Sequence, residues 1–272
     1  MPKTASMHLS RALPEAAQAA CIERHRLLKS AARAMYRVPK MRGTARVLTR
    51  YLIQHTPLSL RNKQRLYNFF AQDTSPDQPV KFKCAITEPH LTKLTLELDI
   101  RDDLSSKWYH WGYANYERGT VRLIEELLKS KRHVFDVGAN IGFYTLLAGA
   151  AIEGCGEVHA FEPHPEVFRW LAHNSALNGF GCIRLNQAAL SDVDGKVPLF
   201  LPSNDAWTNA SVVEGFMPQQ APIEIDAIRF DTYCREHLSA PVDLLKVDVE
   251  GAELKVFRGM GYLLEEWQPD II

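Results

Sequence analysis

Short apolar runs alternate with amphipathic stretches from residue 133 to the C-terminal residue. We predict strands at residues 134–136, 157–161, 182–190, 242–247 and 269–272. Helices are predicted after the glycine turn at 142, from Pro165 to Asn178, and over residues 251–259. Such alternation is typical of an α/β fold with a mostly parallel sheet, so we assign residues 133–272 as the core. Two strands of an insertion, 196–201 and 223–230, and a helix at 231–237 precede the fourth core strand.

The first 75 residues have helical periodicity, with predicted helices at 14–37, 44–55 and 57–70. The composition of residues 73–79 is that of a linker, which places a domain boundary there. We therefore predict a basic helical N-terminal extension, 1–75, and a second domain, 76–272. The second domain starts with strands at 80–87 and 91–100 and an amphipathic helix at 118–130.

The formal net charge is zero, but it is unevenly distributed along the chain. Residues 1–72 hold 14 of the 32 Lys and Arg residues and only two of the 32 acidic residues. This asymmetry indicates either a basic arm that binds an anionic partner or a basic lobe that packs on an acidic domain. We favour the second interpretation.

Cysteine usage and hydropathy indicate the compartment. The five cysteines are scattered and never have CxxC spacing, which favours a reducing compartment and predicts neither disulfides nor a zinc site. No apolar run reaches the roughly 20 residues that a membrane span requires, and no secretory signal is recognisable. We expect a cytoplasmic protein.

The sequence HVFDVGANIG predicts a strand, a tight glycine turn and the start of a helix. Backbone N–H groups converge at such a corner, which suits a ligand with carboxylate, phosphate or ribose oxygens. The dinucleotide fingerprint GxGxxG is absent, because Asn140 occupies the place of the second glycine.

Further polar residues follow the next strands, at the sheet edge where open α/β sheets bind ligands. Glu162 lies twenty residues beyond Gly142, where a carboxylate accepts hydrogen bonds from both ribose hydroxyls. The segment NQAALSD, residues 186–192, is placed to border an adenine ring. Lys246, Asp248 and Glu250 end the fourth strand, where unpaired charges would be costly to bury. A purely structural ion-pair network is the alternative interpretation of that group.

Together, DVGANIGFYT, FEPHP, NSALNG, AALSD and DLLKVDVEGAELKVFRG resemble the FkbM-type family of class I S-adenosylmethionine-dependent methyltransferases. The resemblance covers about residues 116–272, and His164 replaces the Asn of the usual FEPNP motif. It implies a Rossmann-like sheet, truncated here after strand five, since the complete family sheet has seven strands. We therefore expect a fragment, or a sheet edge covered by the N-terminal lobe or another subunit.

The resemblance also implies O-methylation of a sugar, lipid or secondary metabolite, with S-adenosylmethionine as cofactor. Asp136, Gly138, Asn140 and Gly142 would hold its methionine moiety, Glu162 its ribose, and Ala189 and Asp192 its adenine. Asp248 would face the methyl group, with Asp248 or Glu250 as general base and Lys246 as orienting cation. Aromatic and polar residues before the core, and one in the insertion, are candidate acceptor contacts: Trp108, His110, Tyr116, Glu117 and Trp207. His110, Tyr116 and Glu117 are also second choices for the general base.

Two other functions remain open from sequence alone. An NAD-linked oxidoreductase is disfavoured by the glycine spacing and by the charged fourth strand. A nucleic-acid-associated protein would use the basic arm, although no RNA-binding motif is present and nucleic acid is an unlikely partner. No metal site is expected; the alternative is a divalent ion at Asp248, Glu250 and Glu253. A small-molecule or glycan acceptor is the expected partner, and a homo-oligomer is an open alternative.

Overall fold

The structure, a computed structural model, describes most of the second half of the chain and parts of the first. Described residues are 42–56, 58–71, 81–86, 94–100, 103–112, 117–201, 210–215, 221–272 and positions 27, 30, 31, 34 and 35. The predicted linker at 73–79 and most of the predicted helix at 14–37 lie outside this set. Contacts divide the chain into residues 1–75 and 76–272. None of the helices in the described part is long and apolar enough to cross a membrane.

The first unit contains helices α1 (Arg42–His55) and α2 (Leu60–Ala71), in agreement with the helices predicted there. Their apolar faces meet at Ala45, Leu52 and Leu66, which are almost completely buried. The two helices are amphipathic, so packing against each other stabilises segments that would be marginal as isolated helices.

The second unit begins with β1 (Lys81–Ile86), β2 (Leu94–Asp99), α3 (Asp103–Trp111) and α4 (Arg118–Leu128). Strands and helices then alternate through β3 (His133–Val137), α5 (Phe143–Ile152), β4 (Glu157–Phe161), α6 (Pro165–Asn178) and β5 (Ile183–Asn186). The insertion comprises β6 (Ala189–Ser191), β7 (Gly195–Leu199) and β8 (Ile223–Arg229). The chain closes with α7 (Phe230–His237), β9 (Leu244–Val247), α8 (Glu253–Met260), α9 (Leu263–Trp267) and β10 (Asp270–Ile271).

A five-stranded sheet with order β10-β9-β3-β4-β5 forms the centre of this unit, and all its neighbouring pairs are parallel. This confirms the predicted α/β fold. Helices α4 and α5 contribute to one apolar cluster, and α7, α8 and α9 contribute to another. In the second cluster the buried ring of Phe135 contacts Phe161, Phe230 and Tyr233. The sequences of β3 and β4 are therefore nearly continuous apolar runs, as expected for a sheet covered on both faces.

The predicted continuation of the third strand to residue 190 is wrong. The chain leaves the central sheet after Asn186, and β6 instead pairs in parallel with β8 in a separate three-stranded sheet. The side chain of Asn186 donates to the carbonyl of Ala160 (3.2 Å), and its own carbonyl accepts from Glu162 N–H (3.1 Å). These bonds end the ladder with β4 at the level of the predicted ligand site.

The edge of the β1–β2 ribbon is satisfied by asparagine side chains of α6. Asn178 accepts from Thr95 N–H (2.9 Å) and donates to Thr95 carbonyl (2.8 Å), and Asn174 accepts from Glu97 N–H (2.8 Å). Asn174, which is fully buried, also donates to the carbonyl of Ile141 (2.9 Å). One side chain thus links the ribbon to the glycine turn.

We predict that Asn174→Ala destabilises the protein by about 1–3 kcal/mol, because it removes the amide partner of the Glu97 N–H and of the buried Ile141 carbonyl. Urea unfolding would measure the loss. Asn178→Ala is the matched control, and its smaller effect follows from its half-buried position, where water replaces the lost amide. Equal losses for the two variants would contradict this account of Asn174.

Candidate active site

The turn between β3 and α5 is compressed between two neighbouring segments. The N–H groups of Gly138 and Ala139 both donate to the carbonyl of Phe161, at 3.0 and 2.9 Å. Gly138 has φ +78°, and a Cβ there would lie 2.0 Å from the carbonyl oxygen of Asp248. Only glycine fits this position, because the backbone after β9 approaches too closely for any side chain.

Lys246 holds the turn from below. Its ammonium donates to the carbonyl of Gly138 (2.9 Å) and pairs with Asp136 at 3.1 Å, while Asp248 is more distant at 3.8 Å. The other oxygen of Asp136 accepts from the Thr145 hydroxyl at 2.6 Å. Both charged groups are almost fully buried, and such burial is tolerated only because they are paired and hydrogen-bonded.

Glu162 follows β4 and reaches the same turn. One carboxylate oxygen accepts from Asn140 N–H and the other from His164 N–H, both at 2.9 Å. Burial raises the pKa of Glu162 to about 7, against the lowering effect of these two N–H groups and of Lys246. Each carboxylate oxygen retains acceptor capacity beyond its one N–H donor.

His164 caps the N-terminus of α6. Its Nδ1 accepts from the N–H groups of Glu166 (3.2 Å) and Val167 (3.4 Å), as an Asn or Asp side chain does at a helix N-cap. Burial lowers the pKa of His164, which favours the neutral ring that this role requires. His164 stands where the usual FEPNP motif has Asn, and it still caps the helix.

A cavity of about 320 Å³ opens above this turn. Of the sequence-predicted residues, seven line it: Glu117, Gly138, Asn140, Glu162, Ala189, Asp248 and Glu250. Asp136 and Lys246 lie beneath them as the supporting ion pair described above. Gly142 is the N-cap of α5, with φ +96°. A Cβ there would meet the Leu171 side chain of α6 at 2.8 Å, so this glycine allows the two helices to pack closely.

The remaining predicted residues lie elsewhere or outside the described part. Asp192 is not among the lining residues, and its carbonyl accepts from Arg229 at 3.1 Å. Trp108 and His110 belong to α3 and are buried in the protein, where the Trp108 ring contacts Phe143 edge-on. Tyr116 and Trp207 lie outside the described residues.

Besides Glu162, three acidic residues line the cavity: Glu117, Asp248 and Glu250. The side chain of Asp248 is 64% exposed, whereas Glu250 is half-buried. Burial, together with the nearby charges of Asp248 and Glu253, raises the pKa of Glu250. Glu117 accepts a hydrogen bond from the Tyr144 hydroxyl. These carboxylates are placed to attract a proton or a cationic centre.

Other lining residues were not predicted. Leu104 and Lys107 come from α3, and an apolar wall comes from the insertion, formed by Leu199, Ala210 and Val212. The helical spacing of Leu104 and Trp108 indicates α3. The segment is rich in aromatic residues, however, and this composition made the helix hard to recognise. No local pattern indicates that the insertion folds back over the β9 loop.

The family comparison matches the segment that builds most of this site. The sequence model described as Methyltransferase FkbM domain matches residues 136–272, about half of the chain. The chain belongs to the FkbM methyltransferase domain family. The predicted resemblance is therefore confirmed.

Three curated relatives are methyltransferases by name. Methyltransferase sdnD of Sordaria araneosa is 28% identical, covering 52% of this chain and 69% of its own length. The 31-O-demethyl-FK506 methyltransferase FkbM of Streptomyces tacrolimicus is 31% identical, with coverages of 47% and 58%. The hexuronic acid methyltransferase AglP of Haloferax volcanii is 30% identical, with coverages of 55% and 58%. The aligned segments thus span only part of each relative.

Among solved structures, the methyltransferase FkbM of Methylobacillus flagellatus is similar over 52% of this chain and 32% of its own. The identity is 18% and the TM-score is 0.34.

We predict that Gly138→Ala destabilises the protein by at least about 2 kcal/mol, because the added methyl group collides with the Asp248 carbonyl. Gly154→Ala is a matched control: its φ is nearly the same, +76°, but a Cβ there meets nothing within 4 Å. The control therefore isolates the backbone strain, roughly 1 kcal/mol. Thermal unfolding of both variants would test this, and similar losses would contradict the role of the close approach.

The raised pKa of Glu162 predicts a pH-dependent stability. The ionised form is disfavoured in the folded state, so the contribution of Glu162 to stability is lost as pH rises from about 4.5 to about 7. Relative to Glu162→Gln, the wild type should lose roughly 3 kcal/mol of unfolding free energy over this interval. Asp136, Lys246 and His164 are common to both proteins. Urea unfolding at several pH values would test this, and parallel curves would contradict it.

Proposed function

We propose that this protein is an S-adenosylmethionine-dependent methyltransferase that methylates a hydroxyl group of a sugar, lipid or secondary metabolite. Family membership supports methyl transfer. The observation that supports this function at the level of residues is the shared cavity of Glu162, the 138–142 turn and the carboxylates after β9.

The residues around Glu162 fit the nucleoside part of the cofactor. Its two oxygens each have one N–H donor and can also accept the two ribose hydroxyls. Apolar lining residues beside it suit the faces of an adenine ring: Pro163, Val167, Ala188, Ala189 and Leu190. In this proposal Gly138 and Asn140 border the methionine moiety, while Asp136 and Gly142 support their turn.

The carboxylates of Asp248 and Glu250 would act on the hydroxyl group of the methyl acceptor. When bound, S-adenosylmethionine supplies a methyl group whose carbon–sulfur bond breaks, with the electron pair left on sulfur, as the acceptor oxygen bonds to carbon. The hydroxyl group must lose its proton during this step, and a nearby carboxylate would take up that proton. The raised pKa of Glu250 brings its basicity closer to that task. The main contribution of the protein is to hold the two reactants in line.

Lys246 would act indirectly. Its ammonium fixes the Gly138 carbonyl and lies 3.8 Å from Asp248, so it orients the turn and biases the direction of that carboxylate. We assign Glu117 to the acceptor side, where its hydrogen bond with Tyr144 holds the carboxylate at the cavity.

The lining of the cavity and the names of the relatives support the proposed acceptor class. The cavity combines an apolar wall with carboxylates that accept hydrogen bonds from hydroxyl groups. Two relatives are named for 31-O-demethyl-FK506 and for hexuronic acid. A hydroxylated small molecule or glycan with an apolar face fits both observations.

We predict that Asp248→Asn abolishes methyl transfer and leaves the affinity for S-adenosylmethionine within about tenfold, since Asp248 is an exposed rim residue. Labelled-methyl transfer into a cell extract, followed by identification of the product, measures the first effect, and calorimetry measures the second. Glu250→Gln is the comparison variant for the general base.

The outcomes of this experiment are distinct. Full activity in Asp248→Asn with loss in Glu250→Gln would transfer the base assignment to Glu250. Full activity in both variants would remove it from this pair. Failure of the wild type to bind S-adenosylmethionine would refute the proposed function.

A further inference from the structure

Glu250 has a backbone conformation that needs external support. Its φ is +50°, in the left-handed region that side-chain-bearing residues rarely adopt, and Gly251 follows with φ +90°. A residue in this region persists only where the surrounding structure over-determines it. The backbone here directs the half-buried carboxylate that lines the cavity.

The insertion supplies that support through Ser211. The Ser211 hydroxyl donates to the carbonyl of Glu250 at 2.7 Å, across 39 residues of sequence. Its oxygen also accepts from Val213 N–H at 3.0 Å, so its single proton is committed to the Glu250 carbonyl. Lys255 reinforces the same junction by donating to the carbonyl of Val212 at 3.3 Å.

Ser211 is itself rigidly held. It forms an antiparallel bridge with Phe200, with N–H to carbonyl distances of 2.7 and 3.0 Å, and only 3% of the residue is exposed. Its neighbours Ala210 and Val212 line the apolar wall of the cavity. Ser211, which is hydrogen-bonded to the Glu250 backbone, is therefore flanked in sequence by residues of the wall that an acceptor would contact.

We propose that Ser211 is a positioning residue for methyl transfer: its hydroxyl joins the apolar wall to the Glu250 backbone and so sets the direction of the Glu250 carboxylate. The proposal rests on the function proposed above. A bound acceptor that displaces the wall would thereby move the carboxylate as well, which couples acceptor fit to catalysis.

The test compares three variants. Ser211→Ala removes the hydroxyl, and Ser211→Thr retains it. Thr232→Ala is the control for the loss of a hydroxyl hydrogen bond away from the cavity, because Thr232 donates to Asp194 (3.1 Å) at an exposed place that does not line it. If the alanine variant does not fold, Ser211→Cys replaces it, since a thiol keeps the volume but donates weakly.

Two measurements separate a positioning role from a purely structural one. The first is amide hydrogen exchange at Gly251 and Ala252, in protein saturated with S-adenosylhomocysteine. The second is the rate of labelled-methyl transfer to the acceptor fraction purified from cell extract, measured across pH. We expect Ser211→Ala to raise exchange about tenfold and to lower kcat about tenfold, with KM for S-adenosylmethionine within twofold.

If the Asp248 and Glu250 variants assign the general base to Glu250, the acidic limb of the rate–pH profile should move to lower pH in Ser211→Ala, because a less restrained Glu250 carboxylate becomes better hydrated. Ser211→Thr should restore the rate and the profile. Unchanged exchange, or a rate equal to that of Thr232→Ala, would overturn the proposal. A wild type that binds the cofactor product but transfers no methyl group would instead refute the proposed function, and the positioning role with it.

Discussion

The buried ammonium of Lys246 is the interaction on which the geometry of the site depends. Strands β3 and β9 are in register at Asp136 and Lys246, so the ion pair forms between adjacent positions of neighbouring strands. The same ammonium binds the Gly138 carbonyl and thereby fixes the turn above it. Without this cation, Asp136 would be a buried charge with only the Thr145 hydroxyl as a described partner, which is an unfavourable arrangement. The ion pair of Lys246 and Asp136 thus supports the glycine turn, and the turn forms the floor of the cavity.

Backbone strain is concentrated around the cavity. Four described residues other than glycine have positive φ: Glu117, Asn140, Glu250 and Gln268. The first three line the cavity. Relaxed backbone would be more stable, so these conformations are maintained by their contacts: the hydrogen bond of Asn140 N–H to Glu162 is one, and that of the Glu250 carbonyl to Ser211 is another. Precise placement is obtained at a cost in stability.

Much of this architecture could be predicted from sequence, for physical reasons. The apolar runs indicate strands buried on both faces, and the glycines of DVGANIG indicate a tight turn between a strand and a helix. Glu162 was recognisable because its distance from the turn reflects one helix and one strand. The path of the chain after Asn186 could not be predicted, because an apolar run does not indicate which sheet the strand joins. Nor could the contribution of Lys107, because contacts between α3 and the cavity depend on tertiary packing.

The two asparagines of α6 have a geometric consequence for the β1–β2 ribbon. Asn174 and Asn178 are one helical turn apart, about 6 Å along the axis, and their partners Glu97 and Thr95 are two strand residues apart, about 6.6 Å. The helix thus imitates the hydrogen-bonding repeat of a strand running antiparallel to β2. This match works only in one register, so a one-residue insertion between the asparagines would rotate one of them by about 100° away from the ribbon. The spacing between the two asparagines is therefore fixed by the ribbon that they bind.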